Sequence, residues 1–248
     1  EFRRVLFRSL PEICPPRSAS SSRTPPASGA SSPSPAPACS CTTGASGSIQ
    51  VNANGTFTNS GAISSASGNQ SVVVKAQKLA LTGTVNSGTS PTQLTGFATS
   101  RTIGLGLTSD STDTLAISDA EIDLVTAGTL RIGDSSSGDI TVAAPVSIAS
   151  VNVAKVAIRT GGNVTATGTG SITATNLGIS ASGTISLDGT NSISGNLAIV
   201  ASGASAGSGV SIGGLTSLSP ISVDSIDPVY GIGKNIINKN TNFLFSLI

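Results

Sequence analysis

Seven of the twelve acidic residues, Asp110, Asp113, Asp119, Glu121, Asp123, Asp134 and Asp139, fall between positions 110 and 139. Clustered carboxylates, alone or beside Arg or Lys, are the groups that cleave sugar linkages by acid–base chemistry. Asp134 and Asp139 flank a turn signal and lie near Arg131, which makes them the first candidates for such work. The partners of that chemistry are missing. There is no His, the commonest general base, no Trp, and a single Tyr, Tyr230, outside the region. Asp134, Ser135, Asp139 and nearby carbonyls could offer oxygen ligands to calcium. The Gly-Gly-x-Gly-x-Asp repeat of calcium-binding β-rolls is absent. Carboxylates sit at the surface by default, so the expectation is that these acids cap turns and keep the molecule soluble.

Other reactive types point the same way. With no His, no Gly-x-Ser-x-Gly elbow can be completed into a nucleophilic centre. Cys14, Cys39 and Cys41 all precede the patterned part of the chain, and Cys39-Ser40-Cys41 has no further Cys or His for a zinc site. Thr165-Ala166-Thr167 and Thr173-Ala174-Thr175 have the Thr-x-Thr form of an ice-binding face but fall within one repeat, so ordinary outward strand positions account for them. The expectation is a chain with no catalytic, cofactor-binding or metal-ligating residue. The enzymatic alternative is a carbohydrate-active β-helix.

The elements that would position these residues are built from small and branched side chains. Only 10% of the 248 residues are charged and 3% aromatic, so a wide core would be hard to fill. A thin core of stacked aliphatic side chains fits better. The net charge of +1 hides an asymmetry. Arg3, Arg4, Arg8, Arg17 and Arg23 crowd the start, whereas positions 47–220 hold six basic and eight acidic residues. No basic stripe is available there to track a phosphate backbone, which argues against nucleic-acid binding. No run approaches the roughly 20 apolar residues of a membrane span. Met is absent, so the chain is expected to be a fragment or a processed piece. Glu1 to Ser9 reads as adapter- or frame-derived sequence, since arginines interrupt what would have to be a signal's apolar core.

Residues 1–46, rich in Pro, Ser and Ala, are expected to form a disordered leader. Residues 221–248 leave the pattern as a tail or cap. Between them a repeat decides the fold. Leu130-Arg131-Ile132, Val156-Ala157-Ile158, Leu177-Gly178-Ile179 and Leu197-Ala198-Ile199 recur at a nearly regular interval. Each is followed by a Gly-containing turn and a second short strand, as in Gly138-Asp139-Ile140-Thr141-Val142 and Gly183-Thr184-Ile185-Ser186-Leu187. A third strand is marked by Val146-Ser147-Ile148, Ile172 and Ile193. Alternation puts one side chain in and the next out, so three strands close a coil of about 20 residues. One coil cannot bury its inner face, but a stack can. Asn163, Asn176 and Asn191 suit the corners.

Weaker strand signals run from Ile49-Gln50-Val51 through Val72-Val73-Val74, Leu79-Ala80-Leu81 and Ile103-Gly104-Leu105 to Leu115-Ala116-Ile117. Asp119 to Leu124 is the one helical signal, with Asp119 as its cap. From residue 47 about seven or eight coils could form, a rod roughly 35–40 Å long.

The stretch from Asp119-Ala120-Glu121 through Thr126-Ala127-Gly128-Thr129-Leu130-Arg131-Ile132-Gly133 to Gly138-Asp139-Ile140-Thr141-Val142 resembles a recurrent unit of filamentous-haemagglutinin-like bacterial proteins. The repeats at Asn176 to Leu187 resemble the same family. The resemblance covers about residues 115–215, and more weakly from 47. It implies a right-handed parallel β-helix, export across the outer membrane, commonly by two-partner secretion, and surface display for attachment or biofilm. It further implies an outer-membrane transporter as partner during export, and a host or matrix glycan or protein as the partner of the parent adhesin. The reading is therefore a non-catalytic structural β-solenoid over 47–220, secreted or held at the bacterial cell surface. A passive surface scaffold is the second alternative.

Overall fold

The computed structural model describes residues 48–202 and 209–213, together with the strand backbones Val5–Arg8, Cys41–Thr42 and Phe243–Ser246. The remainder of the 1–46 leader, with Cys14 and Cys39, and the remainder of the 221–248 tail lie outside the described residues.

The chain is a parallel β-solenoid of about seven turns. Its longest sheet takes one strand from each coil: Ile49–Asn59, Val72–Leu81, Pro91–Gly96, Val125–Gly133, Val153–Thr160, Leu177–Ala181 and Leu197–Ala201. Val5–Arg8 pairs with the first of these, Val5 opposite Ile49. A second sheet stacks Thr114–Ile117, Thr102–Leu105, Ile140–Val142, Val164–Ala166, Ile185–Leu187, Val210–Gly213 and Phe243–Ser246. The third face is made by Pro145–Ser147, Ser171–Ala174 and Ser192–Ile193 in the later coils. In the early coils that side carries Cys41–Thr42, Ile63–Ser64 and Val85–Asn86, which pairs with Val125 and Thr126.

Register turns the repeat into columns. On the long sheet one inward column runs Ile49, Val72, Thr92, Leu130, Val156, Leu177, Leu197, and its neighbour runs Val51, Val74, Leu94, Ile132, Ile158, Ile179, Ile199. The second sheet contributes Ile103, Ile140, Val164, Ile185 and Val210. All of these are buried. Each such aliphatic side chain contributes about 1.5–3 kcal/mol by leaving water. Branched residues suit the pleated surface, and each strand satisfies its backbone groups on the coils above and below.

The recurrence expected for the later coils is the one observed: Leu130, Val156, Leu177 and Leu197 stand directly opposite one another in successive coils. The third coil differs. From Thr92 to its column partner Leu130 the chain takes a much longer path than it takes from Leu177 to Leu197. After Thr102–Leu105 it loops back and lays Thr114–Ile117 beside that strand, Thr102 opposite Thr114 and Leu105 opposite Ile117. A short helix, Asp119–Asp123, then leads back to the long sheet. Gly106 opens the loop at φ +79, a left-handed conformation that glycine adopts without the Cβ penalty.

Two sequence expectations change here. The strand Pro91–Gly96 carries no clear apolar signal, because only one of its two inward column positions, Leu94, is aliphatic and the other is Thr92, whose hydroxyl lies 2.9 Å from that of buried Ser87. The helix cap is Ser118 rather than Asp119. Ser118 Oγ accepts from the Glu121 N–H and the Glu121 carboxylate accepts from the Ser118 N–H, a capping box. Asp119 occupies the first helical turn, where its charge complements the helix dipole.

Candidate functional site

The acidic cluster is the part of the chain with the most chemistry, and the third coil assembles it. The outlying strand Thr114–Ile117 faces the second half of Val72–Leu81 from the neighbouring coil, but no backbone ladder joins the two. Carboxylates occupy that gap. Asp110 Oδ2 accepts from the Leu79 N–H at 3.2 Å, and its Oδ1 accepts from the Ala116 N–H at 2.8 Å. Glu121 Oε1 accepts from the Leu81 N–H at 3.0 Å while Oε2 accepts from the Ser118 N–H and hydroxyl, both at 2.9 Å. Ionised carboxylates accept stronger hydrogen bonds than neutral carbonyls, so two side chains can stand in for strand-edge pairing.

Arg101 closes the seam from the other side. It is 6% exposed. Its guanidinium donates to the carbonyls of Thr112 at 2.6 Å, Ser111 at 3.0 Å and Thr114 at 3.1 Å, and also to the Gln77 carbonyl. The fixed fork of five donors lets one side chain gather four carbonyls from two coils. The Nε of Arg101 and Oε1 of Gln77 remain buried without a partner.

Four other acids tie turns and neighbouring coils together. Asp119 Oδ1 accepts from the Ser147 N–H at 2.7 Å, capping the free edge of Pro145–Ser147. Asp134 accepts from the N–H and hydroxyl of Ser136 at 2.8 and 2.6 Å and pairs with Lys75 at 3.5 Å. Burial works against ionising Asp134, but the Ser136 hydrogen bonds and the Lys75 ammonium outweigh it and hold its carboxyl below the ordinary value. Asp139 accepts from the backbone and side-chain nitrogens of Asn163 at 2.7 and 3.1 Å. Asp188 accepts from Ser186 at 2.6 Å and Ser211 at 2.5 Å, and these hydroxyls lower its pKa. Asp134 and Asp139 therefore do not converge on a common point. Asp134 turns to Lys75 in the second coil and Asp139 to Asn163 in the fifth. Among the described residues no group of three or more His, Cys, Asp or Glu side chains could hold a metal ion, and no helix is long and apolar enough to cross a membrane.

The corner asparagines do carry the stack. Asn163 Oδ1 accepts from the Thr184 N–H at 2.9 Å, extending the Asp139–Asn163 contact by one coil. Asn176 Nδ2 donates to the Ala154 carbonyl at 2.8 Å and its Oδ1 accepts from the Asn196 N–H at 3.1 Å. Asn191 goes further than a corner: it is 1% exposed and points inward. Its Oδ1 accepts from the Ile172 N–H at 2.9 Å, and its Nδ2 lies 2.9 to 3.1 Å from the carbonyls of Leu187, Gly189 and Gly213. Sequence reasoning places Asn191 at a turn but does not anticipate its burial. It does not anticipate the Arg101 role at all. A lone Arg among small residues is the available signal.

No family model, curated protein or solved structure matches this chain.

Proposed function

We propose that this chain is a structural, non-catalytic β-solenoid segment of an exported bacterial filamentous-haemagglutinin-like adhesin, displayed at the cell surface. What supports the reading is the employment of the acids. Asp110, Asp119, Glu121, Asp134, Asp139 and Asp188 each accept hydrogen bonds from the chain's own backbone or hydroxyls. Groups spent on holding coils together are poorly placed for the proton transfers of a sugar-cleaving enzyme. A rod that repeats its backbone pairing coil after coil suits the spacing of a binding region away from a surface.

Export would proceed through an outer-membrane transporter, and the parent protein would carry the contact with a host or matrix glycan or protein. The test is made on the intact parent in its own cells. Antibodies raised against residues 129–213 should label unpermeabilised cells, and deletion of the coding segment should reduce attachment to host cells or matrix. Labelling only after permeabilisation would overturn the surface reading. Intact attachment after deletion, with surface labelling of the wild type, would reduce the segment to a passive scaffold.

A further inference from the structure

The strand Ile49–Asn59 falls out of step with its neighbour once. Ala53 stands opposite Ala76 and Thr56 opposite Lys78, so Asn54 and Gly55 together face Gln77 alone. This is a β-bulge, where an extra residue leaves the ladder. Asn54 is exposed and Gly55 half-buried. The Asn54 side chain takes no hydrogen bond among the described residues. The carbonyls of the facing strand nearest the bulge are engaged elsewhere. That of Ala76 accepts from the Phe97 N–H at 3.0 Å, and that of Gln77 accepts from the Arg101 guanidinium. A Cβ built on Gly55 would meet nothing within 4 Å.

These are the conditions under which an asparagine cyclises onto its own backbone. The nitrogen of the following residue, having lost its proton, attacks the side-chain amide carbon. A C–N bond forms, the bond from Cγ to Nδ2 breaks, and ammonia leaves, carrying away the proton. Water then opens the cyclic imide at either carbonyl, giving aspartate or isoaspartate. A following glycine favours the attack, because no Cβ shields its nitrogen. A regular strand opposes it, because the ladder binds the N–H and keeps the backbone extended. Asn54-Gly55 is the only Asn-Gly pair in the sequence, and it falls where its strand leaves the ladder.

Other asparagines lack this combination. Asn52 is exposed in the same strand, but it and Ala53 keep register opposite Lys75 and Ala76. Asn59, before Ser60, is 5% exposed, donates to the Thr84 carbonyl and accepts from the Gly61 N–H, both at 3.3 Å. Asn86, before buried Ser87, accepts from the Gly88 N–H at 2.8 Å. Asn191, before Ser192, is bonded through both amide atoms.

We propose that Asn54 is a self-modification site, which converts through a succinimide with Gly55 to a mixture of aspartate and isoaspartate without an enzyme. The product places a new carboxylate on the outside of the first coil. Isoaspartate also adds a backbone atom where the two strands already differ in length, so the neighbouring coils keep their register.

Peptide mapping by mass spectrometry of the full, folded chain during incubation in mildly alkaline buffer tests this. Conversion at Asn54 should be severalfold faster than at Asn52, Asn59, Asn86 or Asn191, and part of the product should accept a methyl group from an isoaspartyl methyltransferase. Unfolding in urea should leave the Asn54 rate nearly unchanged and raise the Asn59 and Asn191 rates severalfold. Gly55→Ala sits at a φ that is not positive, with open space for its methyl group, so it should fold and slow conversion severalfold. The converted chain should keep its β-sheet circular dichroism. A folded Asn54 rate far below the rate in urea, a rate no faster than at Asn52, or wild-type conversion in Gly55→Ala would each overturn the proposal. Loss of the β-sheet signal on conversion would overturn the claim that the bulge absorbs the product.

Discussion

The third coil and the stack formed by the fifth to seventh coils close the same kind of cross-section by different physics. In the later coils the recurrence is nearly constant, the inward columns are aliphatic, and neighbouring strands pair backbone to backbone. In the third coil the chain doubles back, one inward position is Thr92, and the pairing between Leu79–Leu81 and Leu115–Ile117 is replaced by Asp110, Glu121 and Arg101. Apolar columns tolerate small errors, because neighbours relax around a lost methyl group. A polar seam is less forgiving, because a removed partner leaves buried groups with nothing to bond. An irregular coil is therefore possible inside a solenoid only where a few side chains meet every backbone group the irregularity exposes.

The sharpest way to break this contrast is Arg101→Met. It keeps much of the side-chain volume but leaves the carbonyls of Gln77, Ser111, Thr112 and Thr114 without their donor. A loss of about 3–5 kcal/mol is expected, since several buried acceptors are stranded at once. Equilibrium denaturation gives the loss, and hydrogen exchange should show Leu79 and Ala116 opening first. In the regular stack, Ile158→Ala removes one column residue that is 0% exposed. About 2–4 kcal/mol is expected, spread over the fourth to sixth coils. If exchange in Arg101→Met accelerated equally in all coils, the seam would not be a distinct unit.

Asn191→Ala probes a polar residue inside the regular half. It strands the Ile172 N–H and leaves the carbonyls of Leu187, Gly189 and Gly213 without their shared donor. A loss of about 1–3 kcal/mol is expected by denaturant titration. Asp110→Asn at the seam is milder. One amide face still accepts, while the other presents N–H to either the Leu79 or the Ala116 donor. About 1–2 kcal/mol is expected, and Asp110→Ala should cost more than Asp110→Asn.

The same contrast decides what can be read from the chain. The later coils are legible because alternation with a fixed step has one physical solution, and Leu130, Val156, Leu177 and Leu197 meet it. Ile103-Gly104-Leu105 and Leu115-Ala116-Ile117 are legible as strands but not as partners in one coil. Nothing local distinguishes a chain that climbs to the next coil from one that turns back. Pro91–Gly96 is hidden because its buried Thr92 is satisfied by Ser87, a partner that only the fold supplies. The acids look like solvated surface groups for a related reason. A carboxylate that replaces a strand edge, as Glu121 does for Leu81, is recognisable only once the missing strand is seen.

The smallest expected effect compares Asp134, which ties the fourth coil to the second through Lys75, with Asp188, which joins Ser186 and Ser211 in the regular stack. Both carboxyls are held below their ordinary value in the folded chain. A depressed folded pKa means the unfolded chain binds the proton first as pH falls. The contribution of each is therefore complete above the unfolded value of about 3.9 and is lost as pH drops through the lower folded value. Denaturation midpoints should be flat from about pH 7 to 5 and fall as pH drops below about 4. Asp134→Asn should flatten that fall more than Asp188→Asn. Asp134 is only 20% exposed at its side chain and faces an ammonium, whereas Asp188 is exposed and held by hydroxyls alone. Raising the salt to about 1 M should shrink the Asp134 difference and leave the Asp188 difference, because salt screens the ion pair and not the hydroxyl bonds. Equal flattening by the two variants would mean that Lys75 adds nothing, and that the long reach from the second coil to the fourth is held by backbone pairing alone.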